Sequence, residues 1–213
     1  MGDDDACLAD PALRFGRLRR ALGGAPRGPV ERAATCGVVT AAEARKASGN
    51  VEAKLTLEQQ GRILHYAMLV GSEGGRFDKT RTAAVVNAMP GLGDKVTSGE
   101  WEKRLPECAA AYPATAAAEV TLPPDPLEAQ AGCHDLAAFF TDAMRASEAD
   151  YIDTIRDYDS MRRDLDPKLG ATLRARGLSQ AQGEEARDKA VAALVQLGNP
   201  VAVLNQCVKR FGS

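Results

Sequence analysis

The residues in this chain whose chemistry says most are its five cysteines and two histidines, and their spacing limits what they can do. Cys36 and Cys108 lie 72 positions apart, and Cys133 and Cys207 lie 74 apart. Each pair sits inside a matching stretch. Pro29-Val-Glu-Arg-Ala-Ala-Thr-Cys36 aligns with Pro126-Leu-Glu-Ala-Gln-Ala-Gly-Cys133, and Leu105-Pro-Glu-Cys108 with Tyr112 aligns with Leu204-Asn-Gln-Cys207 with Phe211. Two short patterns in the same order at the same separation read as an internal repeat. The reading predicts Cys36 paired with Cys108 and Cys133 paired with Cys207, each bridge closing a helical unit. The competing reading is four buried thiols acting as small hydrophobes on helix faces. Cys7 falls outside both repeats and is left over; it is free, bridges two chains, or displaces one of the four.

Other chemistries find little support. No Cys-x-x-Cys pair marks a zinc site, and Cys133-His134 lacks the pattern of covalent haem attachment. Neighbours on a helix point about 100° apart, so Cys133 and His134 make a poor nucleophile–base pair. His65, among apolar neighbours, reads as a core or rim residue. Gly71–Gly75 and Gly91–Gly93 lack the Lys-Ser/Thr of a phosphate loop and read as helix-ending turns. The aspartates from Asp150 to Asp166 alternate with Arg156, Arg162 and Arg163, which indicates a solvated, salt-bridged face. Arg14, Arg17, Arg19 and Arg20 make the first helix basic, again a solvated face or a dock for an acidic partner. No catalytic residue, metal ligand or cofactor site is assigned.

The elements that must position these residues are helices. Alanine is abundant, aromatics make up 5% of the chain, and no segment alternates with period two. Asp10-Pro11 opens a first helix carrying Phe15, Leu18 and Leu22, which Gly23-Gly24 ends. Further helices run from Pro29 to about Ala47, from the capping box Thr56/Gln59 to about Gly71, and from Arg81 to Met89. A segment around Trp101, Leu105 and Cys108 follows. Leu122-Pro-Pro-Asp-Pro126 is the strongest punctuation in the chain. Beyond it, Leu136, Phe139, Phe140, Ala143 and Met144 form a core-facing stripe. The next helix carries Tyr151, Ile152, Ile155 and Tyr158, with a kink or restart at Asp166-Pro167. Ser179/Gln182 caps another, and Asn199-Pro200 opens the last. This predicts an all-α bundle of six to eight helices: an N-terminal helix and linker over 1–28, a first repeat over 29–121 and a second over 122–213, packed as one globular unit.

Composition sets the outer bounds. A chain of 213 residues, 26% charged and 45% hydrophobic, belongs to the globular class. A net charge of −2 offers no basic surface for nucleic acid. No apolar run reaches the roughly 20 residues of a membrane span. Met1-Gly2-Asp3-Asp4-Asp5 has no basic or apolar leader, which fits a cytosolic chain or an exported domain read without its signal. Disulfides persist in oxidising compartments, so the cysteines favour a periplasmic or secreted protein. The functional expectation is a non-enzymatic binding or structural module with an unidentified protein partner. The alternatives are a carrier holding a small apolar ligand around Phe139, Phe140, Tyr151 and Tyr158, and an enzyme whose site is assembled from scattered residues. Trp101, the only tryptophan, is expected to be mostly buried near the Ile63–Met68 stripe, its alternative being an interface anchor.

Overall fold

The computed structural model describes residues 28–50, 54–145 and 150–212, and within them every regular element is helical. The expected basic helix from Asp10 to Leu22, together with Cys7, lies outside the described residues. Seven helices of ten residues or more carry the fold: α1 (Pro29–Ser48), α2 (Leu57–Gly71), α3 (Lys79–Ala88), α6 (Pro126–Ala143), α7 (Ile152–Ala175), α8 (Gln180–Val195) and α9 (Pro200–Phe211). Two shorter ones, α4 (Gly93–Thr97) and α5 (Leu105–Ala111), lie between α3 and α6 with three 3-10 turns. Among the described residues no single helix is long and apolar enough to cross a membrane.

The helix starts follow from local chemistry. Thr56 accepts from the Gln59 amide while the Gln59 side chain returns to the Thr56 amide, and Ser179 and Gln182 repeat the arrangement. Asp125 accepts from the Glu128 amide, with Pro126 pre-set in the first turn. Gly49 ends α1 at φ 69°, a left-handed conformation that glycine adopts without a Cβ clash. Of the two expectations at Asp166-Pro167, the restart fails: α7 runs through Pro167 as one helix. Pro167 is exposed, and Leu165 and Leu169 on either side are buried, so side-chain burial holds the helix across the missing amide bond.

One hydrophobic core extends across both halves of the sequence. It joins Ala33 and Cys36 of α1, Leu64 and Met68 of α2, Leu136 and Phe140 of α6, Met161 of α7, Leu194 of α8 and Leu204 of α9. Helix α2 packs on α1 and α3 in its own half and on α8 and α9 in the other. Among the bonds that join the halves are His65 Nε2 to the Val195 carbonyl at 2.7 Å, the Phe77 amide to the Asp188 carbonyl at 3.1 Å, and the Asn199 side chain to the Glu58 carbonyl at 2.9 Å. Glycine permits the closest approaches. A Cβ on Gly132 would lie 2.8 Å from Leu194 and 3.1 Å from the Ala190 carbonyl, so α6 and α8 pack nearly backbone to backbone.

Both expected disulfides are formed. Cys36–Cys108 ties α1 to α5, and Cys133–Cys207 ties α6 to α9. The free-thiol alternative therefore does not hold for these four residues.

Candidate functional site

Trp101 opens the 3-10 turn Trp101–Arg104, which leads without a break into α5. It is partly buried beside Ile63 of the expected stripe, with part of its ring left open at the surface. It forms one wall of an open groove of about 800 Å³ against α1. The floor is apolar, built from Val38, Ala41 and Ala42 of α1 with Ile63 of α2 and Met89 beyond α3. Gly37 makes room for Met89, whose Cε would lie 2.5 Å from any Cβ placed there. The rim carries both signs of charge: Arg45 and Lys46 on α1, Asp94 and Glu102 opposite.

A disulfide fixes the walls at one end, and an exposed ion pair lies at the other. The Cys36–Cys108 disulfide ties α1 to α5. Ten residues further along α1, about 15 Å on, Lys46 bonds Glu102 at 3.0 Å with its ammonium 5.7 Å from the centre of the Trp101 ring. Trp101 is thus presented on a braced wall while part of its ring stays open. The side-chain hydroxyl in the groove, that of Thr97, donates to the Gly93 carbonyl at 3.0 Å. What the groove offers a partner is apolar surface and a rim of mixed charge.

The sequence reading missed a second constellation. His134 Nδ1 is 2.6 Å from Asp135, and its Nε2 is 2.9 Å from Asp166 of α7. Arg187 of α8 grips Asp135 through two nitrogens, Nε at 2.7 Å. Burial alone would raise the Asp135 carboxyl; the Arg187 and His134 hydrogen bonds outweigh it and hold the group at about 2. The Arg187 guanidinium is pushed up in return, chiefly by the same bond. Both ring nitrogens of His134 face carboxylates, so both are engaged in contacts between helices. The cluster clasps α6, α7 and α8 together. The only hint in the sequence is an His-Asp pair on a helix, and its partners lie 32 and 53 positions from His134 along the chain.

The four aromatics of the expected apolar pocket divide. Phe140 and Tyr158 are fully buried and meet edge to face at 6.2 Å, filling the space between their helices themselves. The Tyr158 hydroxyl donates to Asn205 at 2.9 Å, and burial pushes its pKa up. Phe139 packs on Phe77, with ring centres 5.0 Å apart, and borders a separate surface depression. Tyr151 donates its hydroxyl to the Leu55 carbonyl. His65 is a core residue as expected, and burial lowers its pKa to about 4, partly offset by its bond to Val195. Among the described residues no group of three or more His, Cys, Asp or Glu is placed to hold a metal ion. No protein-family model, curated protein or solved structure matches this chain.

Proposed function

We propose that this protein is an exported, non-enzymatic binding module, periplasmic or secreted, whose Trp101 groove receives a short segment of a partner protein. The observation that carries the reading is a lone, partly exposed tryptophan on a wall that a disulfide ties to α1, with an exposed ion pair alongside. Tryptophan gives large contact area at small entropic loss, and a wall fixed beforehand loses little freedom on binding. Small ligands are mostly held in clefts that bury 70–90% of their surface. An open trough with mixed charge along its rim suits a peptide whose chain continues beyond it, with an apolar side chain over the floor. The disulfides support the compartment. The matched sequence patterns, with bridges of 72 and 74 residues, support descent of the two halves from one duplicated unit.

Selection from a phage-displayed random peptide library on the immobilised protein tests the reading. Enriched peptides should bind at least about tenfold more weakly to Trp101→Ala. They should also fail on Ala42→Glu, which puts a carboxylate on the groove floor. Both variants should keep wild-type far-UV circular dichroism and both bridges. Peptides that enrich but ignore both substitutions, or a library that yields none, would overturn it.

A further inference from the structure

The two disulfides are not equivalent, and we propose that Cys36–Cys108 is a redox-active bridge, opened by a dithiol partner while Cys133–Cys207 stays closed. Cys36 and Cys108 are each 3% exposed and line a surface depression of about 360 Å³. Cys133 and Cys207 are fully buried. The surroundings differ in charge as well. Four positions before Cys36 stands Arg32, and four before Cys108 stands Arg104; both line the same depression as the bridge, and the Glu107 carboxylate offsets one of the two charges. Residues four apart share a helix face. The matching positions in the second half are Ala129 and Val203, both fully buried. The first bridge therefore lies in a polar, solvent-connected hollow, with two guanidiniums set against one carboxylate, and the second in hydrocarbon.

This difference bears directly on thiol–disulfide exchange. The incoming nucleophile is a thiolate and the leaving group is a thiolate, and nearby guanidinium groups stabilise both. A thiolate of the dithiol attacks one sulfur of the bridge, forms a mixed disulfide and expels the other cysteine as thiolate. The second thiol of the dithiol then attacks its own sulfur in the mixed disulfide and releases the remaining cysteine. Two electrons and two protons pass to Cys36 and Cys108, and the dithiol leaves oxidised to its cyclic disulfide. The same bridge ties the walls of the Trp101 groove, so its opening loosens that groove; the redox inference itself does not depend on what the groove binds.

The experiment uses the full chain with Cys7 first blocked by N-ethylmaleimide. Dithiothreitol is added without denaturant, new thiols are trapped with iodoacetamide, and peptides are mapped over time. Cys36 and Cys108 should be trapped roughly tenfold or more faster than Cys133 and Cys207, at a rate linear in dithiothreitol. The double variant Arg32→Gln/Arg104→Gln should slow that step about three- to tenfold, and Arg32→Lys/Arg104→Lys should restore most of it. Both bridges opening together at a rate that saturates with dithiothreitol would mean exchange through global unfolding and would overturn the proposal. So would prior loss of Cys133–Cys207, or a glutamine variant that reacts at the parent rate.

Discussion

At the scale of single residues, the two histidines are opposites. His65 has one acceptor, the Val195 carbonyl, and its Nδ1 has no partner in the core. Burial holds its folded-state pKa at about 4, below the ordinary 6.5, so the unfolded chain takes the proton first as pH falls. Its contribution is complete above 6.5 and is lost as pH drops towards 4, a swing of about 3 kcal/mol. Urea unfolding of the wild type from pH 7.5 to 4.5 should show most of that loss, and His65→Gln should flatten it. Asp135 acts in a lower window. Its folded-state value of about 2 lies below 3.8, so its stabilisation is present above 3.8 and disappears between there and 2. Asp135→Asn should cost about 2–3 kcal/mol at pH 7, because Arg187 and His134 both lose an ionised acceptor. Trp101 is only half-buried, so Trp101→Ala should cost about 1–2 kcal/mol, less than a core tryptophan would. Its fluorescence should be partly quenched by iodide. Complete protection would show a side chain sealed in the core.

At the scale of elements, helix-to-helix distance is set by residues without side chains as much as by those with them. Gly132 is the clearest case, since α8 occupies the space a Cβ would need. The Leu194 methyls can turn aside, but the Ala190 carbonyl is backbone and can move only with its helix. Gly132→Ala should therefore cost about 1–3 kcal/mol through overpacking, even though alanine favours helix more than glycine does. Thermal unfolding would check the sign; a stabilised variant would mean that α6 and α8 slide apart freely. The caps behave as independent local signals. The Thr56/Gln59 and Ser179/Gln182 boxes complete both reciprocal bonds.

At the scale of the molecule, two loops of similar length are closed by two bridges, and chain entropy assigns each about 4 kcal/mol. Replacing Cys133 and Cys207 together by alanine, or Cys36 and Cys108 together, should lower the unfolding free energy by comparable amounts, measured by urea at pH 7. The functional consequences should differ. Only loss of Cys36–Cys108 frees a wall of the Trp101 groove, so only that pair of substitutions should weaken a groove-selected peptide. Equal weakening by both would place the recognition surface elsewhere.

The sequence by itself determined the helical class, most helix starts and the disulfide partners. Those signals are local or repeated: a cap and its third residue, a proline in the first turn, cysteines at equal spacing in two matching frames. It did not determine what depended on pairing between distant elements. Phe140 and Tyr158 looked like a ligand pocket because their spacing marks an apolar face, yet only packing shows that they fill that face for each other. His134 looked idle because Asp166 and Arg187 stand on other helices. Helical spacing placed Trp101 beside Ile63, but it records which residues are apolar and not which part of the ring the neighbouring helices leave open. Burial depth and long-range polar pairing belong to the arrangement of α1 to α9 in space, and the tertiary structure alone decided them.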